Sequence, residues 1–341
     1  MKEEWTSQEM GMGTRSVWAG EEGEFPGGAS QVPVFHTVTY SYNDIDKWHD
    51  VSLGKAKGHI YSRNTNPTTA VFEEKVRQLE EAEAATSFST GMASISNTLM
   101  TFLKPGSRVV SIRDTYGGTS VIFLEFCPKI NVEVELCETG NHEQMLSEIE
   151  KGLDVLYLET PTNPTLKIMD IKRLAEAAHK KGAIVIVDNT FATPINQKPL
   201  KLGADIVVHS ATKFLGGHSD AMGGVACGSQ KLIDQIFHYR EINGATLHPM
   251  SAYLLLRGLK TLQLRIERQN KSALEVAKWL KAHPKVEDVF YPGLETHQHH
   301  DIAKKQMNGF GGMMSFSLKG GFEKVKEFLP KLKLAHLAAS L

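Results

Sequence analysis

The chain has 341 residues, 41% of them hydrophobic and 23% charged, with a formal net charge of −1. That is ample apolar material for a large core, and near-neutrality without a basic block argues against a nucleic-acid partner. No apolar run approaches the ~20 residues that cross a bilayer, the polar start MKEEWTSQEM lacks the apolar centre of a secretory leader, and the three scattered cysteines, Cys127, Cys137 and Cys227, form no disulfide framework; together these predict a cytoplasmic protein.

Residues 1–60 read as irregular, with Gly and Pro scattered through GEEGEFPGGASQVP. Such a stretch is either disordered or an arm that packs on a partner. From NPTTAVFEEKVRQLEEAEAA onward the spacing turns helical, with Pro67 near the start, where a missing N–H costs little. Strands and helices then alternate. RVVSI (108–112), VEVEL (132–136), DVLYLE (154–159), AIVIVDN (183–189) and ADIVVHS (204–210) are candidate strands. The last two are continuous β-branched runs, which suit strands buried on both faces. IKRLAEAAHKKG, between DVLYLE and AIVIVDN, is a helix closed by Gly182. This alternation predicts an α/β domain with a mostly parallel sheet. Residues 251–283 form one long helical pattern, straight or kinked, and VEDVFYPG and GGMMSFSLKGG are candidate strands of a smaller region. The expected division is an arm at 1–60, a large domain at 61–250 and a small α+β domain at 251–341.

Ligands of open parallel sheets bind beyond the carboxyl ends of the strands. The polar residues there are Glu159, Asp188 and Ser210, followed at once by Thr212 and Lys213. Pyridoxal phosphate (PLP) asks for such a set. Its aldehyde needs a lysine amine, its ring nitrogen needs a carboxylate that keeps it protonated, and its phosphate needs hydroxyls, backbone N–H groups and a cation. Asp188 fits the ring nitrogen, Lys213 the aldehyde, and Ser210 and Thr212 the phosphate. Each alone is weak, because a strand-ending Asp is usually a turn former. The ordered set of two buried strands, then Ser-x-Thr-Lys and Phe-Leu-Gly-Gly-His, is much more specific.

SATKFLGGHSD, with IYSRNTNPTTAVFE, FSTGMASI, DTYGGT, ETPTNPTL and VDNTFATP, resembles the Cys/Met-metabolism family of PLP enzymes. That family includes cystathionine γ-synthase, cystathionine γ-lyase, methionine γ-lyase and O-acylhomoserine sulfhydrylase. The likeness runs from about Thr14 to Leu341 and implies PLP fold type I, as in aspartate aminotransferase. By resemblance Lys213 is the Schiff-base lysine and the base that moves protons on the substrate. Asp188 pairs with the ring nitrogen. Ser210, Thr212, Gly91 and Met92 hold the phosphate. Tyr116 stacks on the ring and assists catalysis, and Asn163 lies near the phenolic oxygen. Tyr61 and Arg63 reach the phosphate from a neighbouring subunit, Tyr61 also touching substrate, and Ser340 lines the substrate site. A homodimer with shared sites follows, and a tetramer by the same likeness.

The implied reaction is γ-replacement or γ-elimination on a homoserine-derived sulfur amino acid, of the cystathionine γ-synthase or γ-lyase type. Departures from the pattern bear on the substrate. Cystathionine-specific members carry an arginine and a glutamate where Val121 and Ala339 stand, and an apolar pair makes no charge-assisted hydrogen bonds. That favours the alternative, a sulfhydrylase or methionine γ-lyase; yet methionine γ-lyases carry a cysteine where Gly118 stands. The chain ends at HLAASL, before the family's carboxylate-binding arginine, so the sequence is expected to be shorter than the natural product. The opposite expectation is a PLP-binding scaffold without catalysis. No metal site is expected. His297, His299 and His300 in ETHQHH read as a solvated loop, and the Gly-Gly pairs make no dinucleotide fingerprint.

Overall fold

Five parallel strands give the molecule its frame: β2 Arg108–Ile112, β3 Glu133–Cys137, β4 Val155–Glu159, β5 Ile184–Asp188 and β6 Ile206–Ser210, where β1 is Ala84–Phe88. With β7, Gly224–Gly228, they form a seven-stranded sheet in the order β1-β7-β6-β5-β4-β2-β3. β7 runs antiparallel to both neighbours. The computed structural model describes residues 10–338.

The long apolar runs follow from burial on both faces. One face carries Val109, Val155, Tyr157, Ile186, Ile206 and Val208, packed with Ile95 and Leu99 of helix Gly91–Phe102 and Ile233 and Ile236 of helix Gln230–Asn243. The other carries Val110, Leu156, Leu158, Val185, Val187 and Val207 against Met145 and Ile149 of helix His142–Glu150 and Leu174 and Ala178 of helix Ile171–Lys180. β1 and β7 escape a pattern search because AATSF and GVACG are short and built largely of small residues. They are recognisable only from their pairing, Ala84 opposite Gly228 and Phe88 opposite Gly224.

The single helical pattern over 251–283 divides into helices Pro249–Leu259 and Leu262–Ala282. The break has a local cause. Thr261 donates both its N–H and its hydroxyl to the carbonyl of Gly258, at 3.2 and 3.1 Å, drawing the chain into a tight turn. The second helix spans two cores: Leu262 and Ile266 pack with Phe72, Leu255 and Leu259, while Ala273, Ala277 and Leu280 pack with Val286, Val289 and Tyr291. β8 Val286–Phe290 and β9 Ser315–Leu318 form the small antiparallel sheet of that second core.

The N-terminal region is more regular than its composition suggests. It contains helices Met12–Trp18 and Ile45–Ser52, the latter capped by Asp44, which accepts from the N–H groups of Asp46 and Lys47. The segment after the first helix is pinned to its own chain. Lys75 is fully buried, donates to the carbonyl of Val17 at 2.7 Å and pairs with Glu21 at 3.3 Å; Lys260 meets the same carboxylate at 2.5 Å. Paired charges are what make such burial tolerable.

Candidate active site

Parallel pairing brings the ends of β4, β5 and β6 to one edge of the sheet. Glu159 stands opposite Asp188, and Asp188 opposite Val208, two residues before Ser210. Asp188 is 6% exposed. Its carboxylate accepts the N–H of Thr190 at 2.9 Å, and the Tyr157 hydroxyl lies at 3.5 Å. Burial pushes its pKa above the usual carboxylate range, opposed by the hydrogen bonds from Thr190 and by the imidazole of His209. A buried carboxylate in that state favours a cationic partner.

Glu159, which the sequence places at a strand tip without a role, organises this edge. Its buried carboxylate accepts the N–H of Tyr116 at 2.7 Å and that of Asn163 at 3.2 Å. It therefore fixes both loops that carry candidate site residues. Burial, with Asp188 beside it, pushes its pKa up to about 8. The available signal was its place at the tip of a buried strand, one strand over from Asp188.

Helix Gly91–Phe102 starts at the same edge. Thr90 caps it by accepting the N–H of Ala93 at 3.0 Å. The remaining first-turn N–H groups lack intrahelical partners and make an anion site. A Cβ on Gly91 would lie 2.5 Å from Cβ of Ser210 and 2.6 Å from its Oγ, so only glycine lets that N-terminus meet the β6 hydroxyl. Ser210 is itself held by its N–H on the Thr190 hydroxyl at 2.9 Å. Thr212 is engaged within its own loop, accepting from the N–H of Gly223 at 3.1 Å and donating to its carbonyl at 3.3 Å.

Lys213 follows on a turn anchored to β6, its N–H donating to the carbonyl of Ser210 at 3.1 Å. It is half-buried, and burial holds its amine below the usual lysine range. Tyr116 is half-exposed, and a Cβ on Gly118 would lie 3.1 Å from the Tyr116 ring and 2.7 Å from Sδ of Met92. Met92 and Tyr116 thus flank Gly118. Asn163 is exposed beside them. Tyr61 and Arg63 are exposed: Tyr61 bridges to Thr39, while Arg63 lies 5.5 Å over the Tyr61 ring and donates to the carbonyl of Glu241 at 3.2 Å. Ser340 and Ala339 lie outside the described residues.

A second polar layer backs this edge on the opposite face of the sheet. His209 and Glu80, both fully buried, meet at 2.6 Å, and Asn189 donates to the same Glu80 oxygen at 2.9 Å. Because Asn189 follows Asp188 and His209 precedes Ser210, Glu80 ties the tips of β5 and β6 together. Among the described residues no group of three or more His, Cys, Asp or Glu could hold a metal ion. ETHQHH is not the solvated loop its polarity suggested: His297 is buried, and His299 accepts the N–H of Ile168 at 3.1 Å. Half-buried His299 thereby holds the loop that carries Asn163 through Ile168.

PLP fits these residues. The buried acid needs a cation, the glycine-cleared helix start beside a serine hydroxyl suits a phosphate, and Lys213 on the turn after β6 offers the amine that an aldehyde requires. The chain matches the family described as Cys/Met metabolism PLP-dependent enzyme over residues 13–341, and it belongs to that family. It is 45% identical to an L-methionine gamma-lyase of Fusobacterium nucleatum subsp. polymorphum, over 98% of this chain and 85% of that one. It is 41% identical to a cystathionine gamma-lyase of Bacillus subtilis, over 96% and 84%. The crystal structure of metB from Corynebacterium glutamicum superposes with a TM-score of 0.94 at 37% identity, covering 99% of this chain and 86% of that one. The fold is PLP fold type I, and the protein is a PLP-dependent enzyme of sulfur amino-acid metabolism. No helix among the described residues is long and apolar enough to cross a membrane.

Proposed function

We propose that this chain catalyses γ-elimination or γ-replacement on homoserine-derived sulfur amino acids, with Lys213 as the base that moves the proton. The observations that support the reading are buried Asp188, the Gly91–Ser210 contact at the same sheet edge and half-buried Lys213 on the turn that follows β6. When bound, PLP supplies an electron-withdrawing ring that stabilises negative charge at the substrate's α-carbon. Asp188 would hold the ring nitrogen protonated, the opposite charge offsetting the burial that otherwise neutralises the acid. Ser210, Thr212 and the N–H groups of Gly91 and Met92 would hold the phosphate, Thr212 exchanging its present partner Gly223. Tyr116 would cover one face of the ring and present its phenol to the reacting substrate. Asn163 would face the phenolic oxygen, and Glu159 would keep both of their loops in place. Lys213 would take the α-proton and return protons along the substrate chain.

We also infer that residues around 37–63 serve a neighbouring subunit, with Tyr61 and Arg63 reaching its phosphate, in a dimer or tetramer. The three buried free thiols suit a reducing compartment, which we take to be the cytoplasm. A second reading is γ-elimination of methionine. It is favoured by Val121, 41% exposed near Tyr116 where a charged reader of a polar substrate would stand, and by the methionine gamma-lyase relative.

A product assay separates these outcomes. The PLP-loaded protein is given L-cystathionine, L-methionine or an O-acylhomoserine, with and without cysteine. Oxoacid and ammonia from the first two indicate lyase chemistry, and a thioether formed only with added cysteine indicates replacement. Lys213→Ala should abolish every product while the fold persists by circular dichroism; turnover surviving in that variant would refute the assignment of the base.

A further inference from the structure

A cation stands behind the Lys213 turn that none of the roles above uses. Arg265, on helix Leu262–Ala282, donates to the carbonyl of Phe214 at 2.9 Å, to that of Gly258 at 3.0 Å, to that of Leu215 at 3.4 Å and to the Thr261 hydroxyl at 3.0 Å. No carboxylate lies within ion-pair distance of it among the described residues. Burial holds its guanidinium below the usual arginine range. A partly buried cation bonded only to neutral oxygens is costly. Here its fork geometry gathers acceptors from two elements at once.

The surroundings are shaped around it. Gly217 has φ +70°, and a Cβ there would lie 2.1 Å from Nη1 of Arg265. A Cβ on Gly258 would lie 2.0 Å from the carbonyl oxygen of Gly216. The Gly-Gly pair after Lys213 and the glycine of RGLK are therefore what let the catalytic turn and the helix junction touch. Gly217 closes the turn by donating to the carbonyl of Lys213 at 2.7 Å. The chain through Lys213, Phe214 and Leu215 has no regular helical ladder, and two of its carbonyls end on one guanidinium.

We propose that Arg265 is a positioning residue for Lys213: it clamps the turn to the junction between helices Pro249–Leu259 and Leu262–Ala282, and so sets where the amine stands against its reaction partner. This rests on Lys213 being the PLP-linked base. Misplacing a reacting group by about 1 Å costs on the order of 10²-fold in rate. Removing the clamp therefore lowers kcat by about that factor and leaves KM for substrate within a few-fold.

The test compares Arg265→Met and Arg265→Lys with the unaltered full chain. Each is supplied with PLP and reduced with borohydride after set times, and the label on the Lys213 peptide is quantified by mass spectrometry. Kinetics follow on the loaded proteins, and thermal melting monitors the fold. Expected are slower labelling at Lys213 and a fall in kcat for Arg265→Met, a smaller defect for Arg265→Lys, and partial rescue of Arg265→Met by added guanidinium ion. Labelling and kcat at unaltered levels in Arg265→Met overturn the inference while leaving the base assignment intact. So does a drop in melting temperature with no change in either quantity. Absence of label at Lys213 in the unaltered chain overturns both. Should Arg265→Met fail to fold, Arg265→Lys carries the test, with Gly217→Ala as a second perturbation of the same contact. Slow labelling in Gly217→Ala supports the inference only if Arg265→Lys, which keeps Gly217 and the turn unaltered, shows it too; normal labelling and kcat in Arg265→Lys then overturn the inference.

Discussion

Gly91 shows how much one absent atom can decide. Its missing Cβ lets the start of a helix reach the Ser210 hydroxyl, and an added one would have to displace Cβ of Ser210 as well as its Oγ. Gly91→Ala is expected to weaken PLP binding by about tenfold or more, roughly 1.4 kcal/mol. Gly117→Ala, where a Cβ would meet nothing within 4 Å, is expected to leave it unchanged. Fluorescence titration with PLP checks both, and equal affinities would remove the phosphate cradle from the scheme. At this scale Asp188, Ser210 and Lys213 were legible because each follows a β-branched run at a strand tip. Glu159 stood in the same kind of place, yet its work was hidden. The N–H groups it holds belong to Tyr116 and Asn163, and which loops converge on a strand tip is a matter of sheet order, not of spacing.

Among the elements, the loop from Thr160 to Met169 depends on histidines that come from far along the chain. His299 accepts the N–H of Ile168, His142 accepts the N–H of Asp170 at 2.9 Å, and the three rings of His142, His299 and His297 stack edge to face at 5.6 and 5.9 Å. Both acceptor nitrogens must be unprotonated to do this. Burial, with His142 and His297 beside it, pushes His299 from an ordinary 6.5 down to about 4, and burial lowers His142 and His297 as well. The unfolded chain takes up protons near pH 6.5 while the folded one resists until about pH 4. Stability from this cluster is therefore complete above pH 6.5 and drains away as pH falls toward 4. Melting curves across that window should show the loss, and His299→Gln should flatten it; an unchanged slope in the variant would exclude His299 as a source. ETHQHH gave no hint of this, because a polar run reads as surface until its packing partners are known.

For the whole molecule, the shared-site proposal makes a quantitative demand. Arg63→Ala and Lys213→Ala chains should each be nearly inactive as homo-oligomers. Co-expressed at equal levels they should recover about a quarter of the activity, because one site of each mixed dimer receives Arg63 from one chain and Lys213 from the other. Assays on the co-purified mixture, with light scattering for mass, check this. Recovery no greater than that of either parent would mean that each chain builds its site alone. The N-terminal region has two physical characters that bear on the question. Residues around 16–21 are tied to their own chain by buried Lys75 and by Lys260, whereas Val38, Ile45, Trp48 and Leu53 leave apolar surface exposed.

By itself the sequence determined the alternation of strands and helices, the parallel core and the residues at three strand tips. Continuous apolar runs, capping residues and strand-end polar groups are local consequences of burial on both faces, so they can be read one segment at a time. Only the tertiary structure decided where β1 and β7 pair, why the helical pattern after residue 250 breaks at Thr261, which acid organises the Tyr116 and Asn163 loops, and what Arg265 does. Apart from the local turn at Thr261, each of those depends on backbone N–H and C=O groups that find their partners far away in the chain, and every residue type except proline offers the same such groups to a reader of sequence alone.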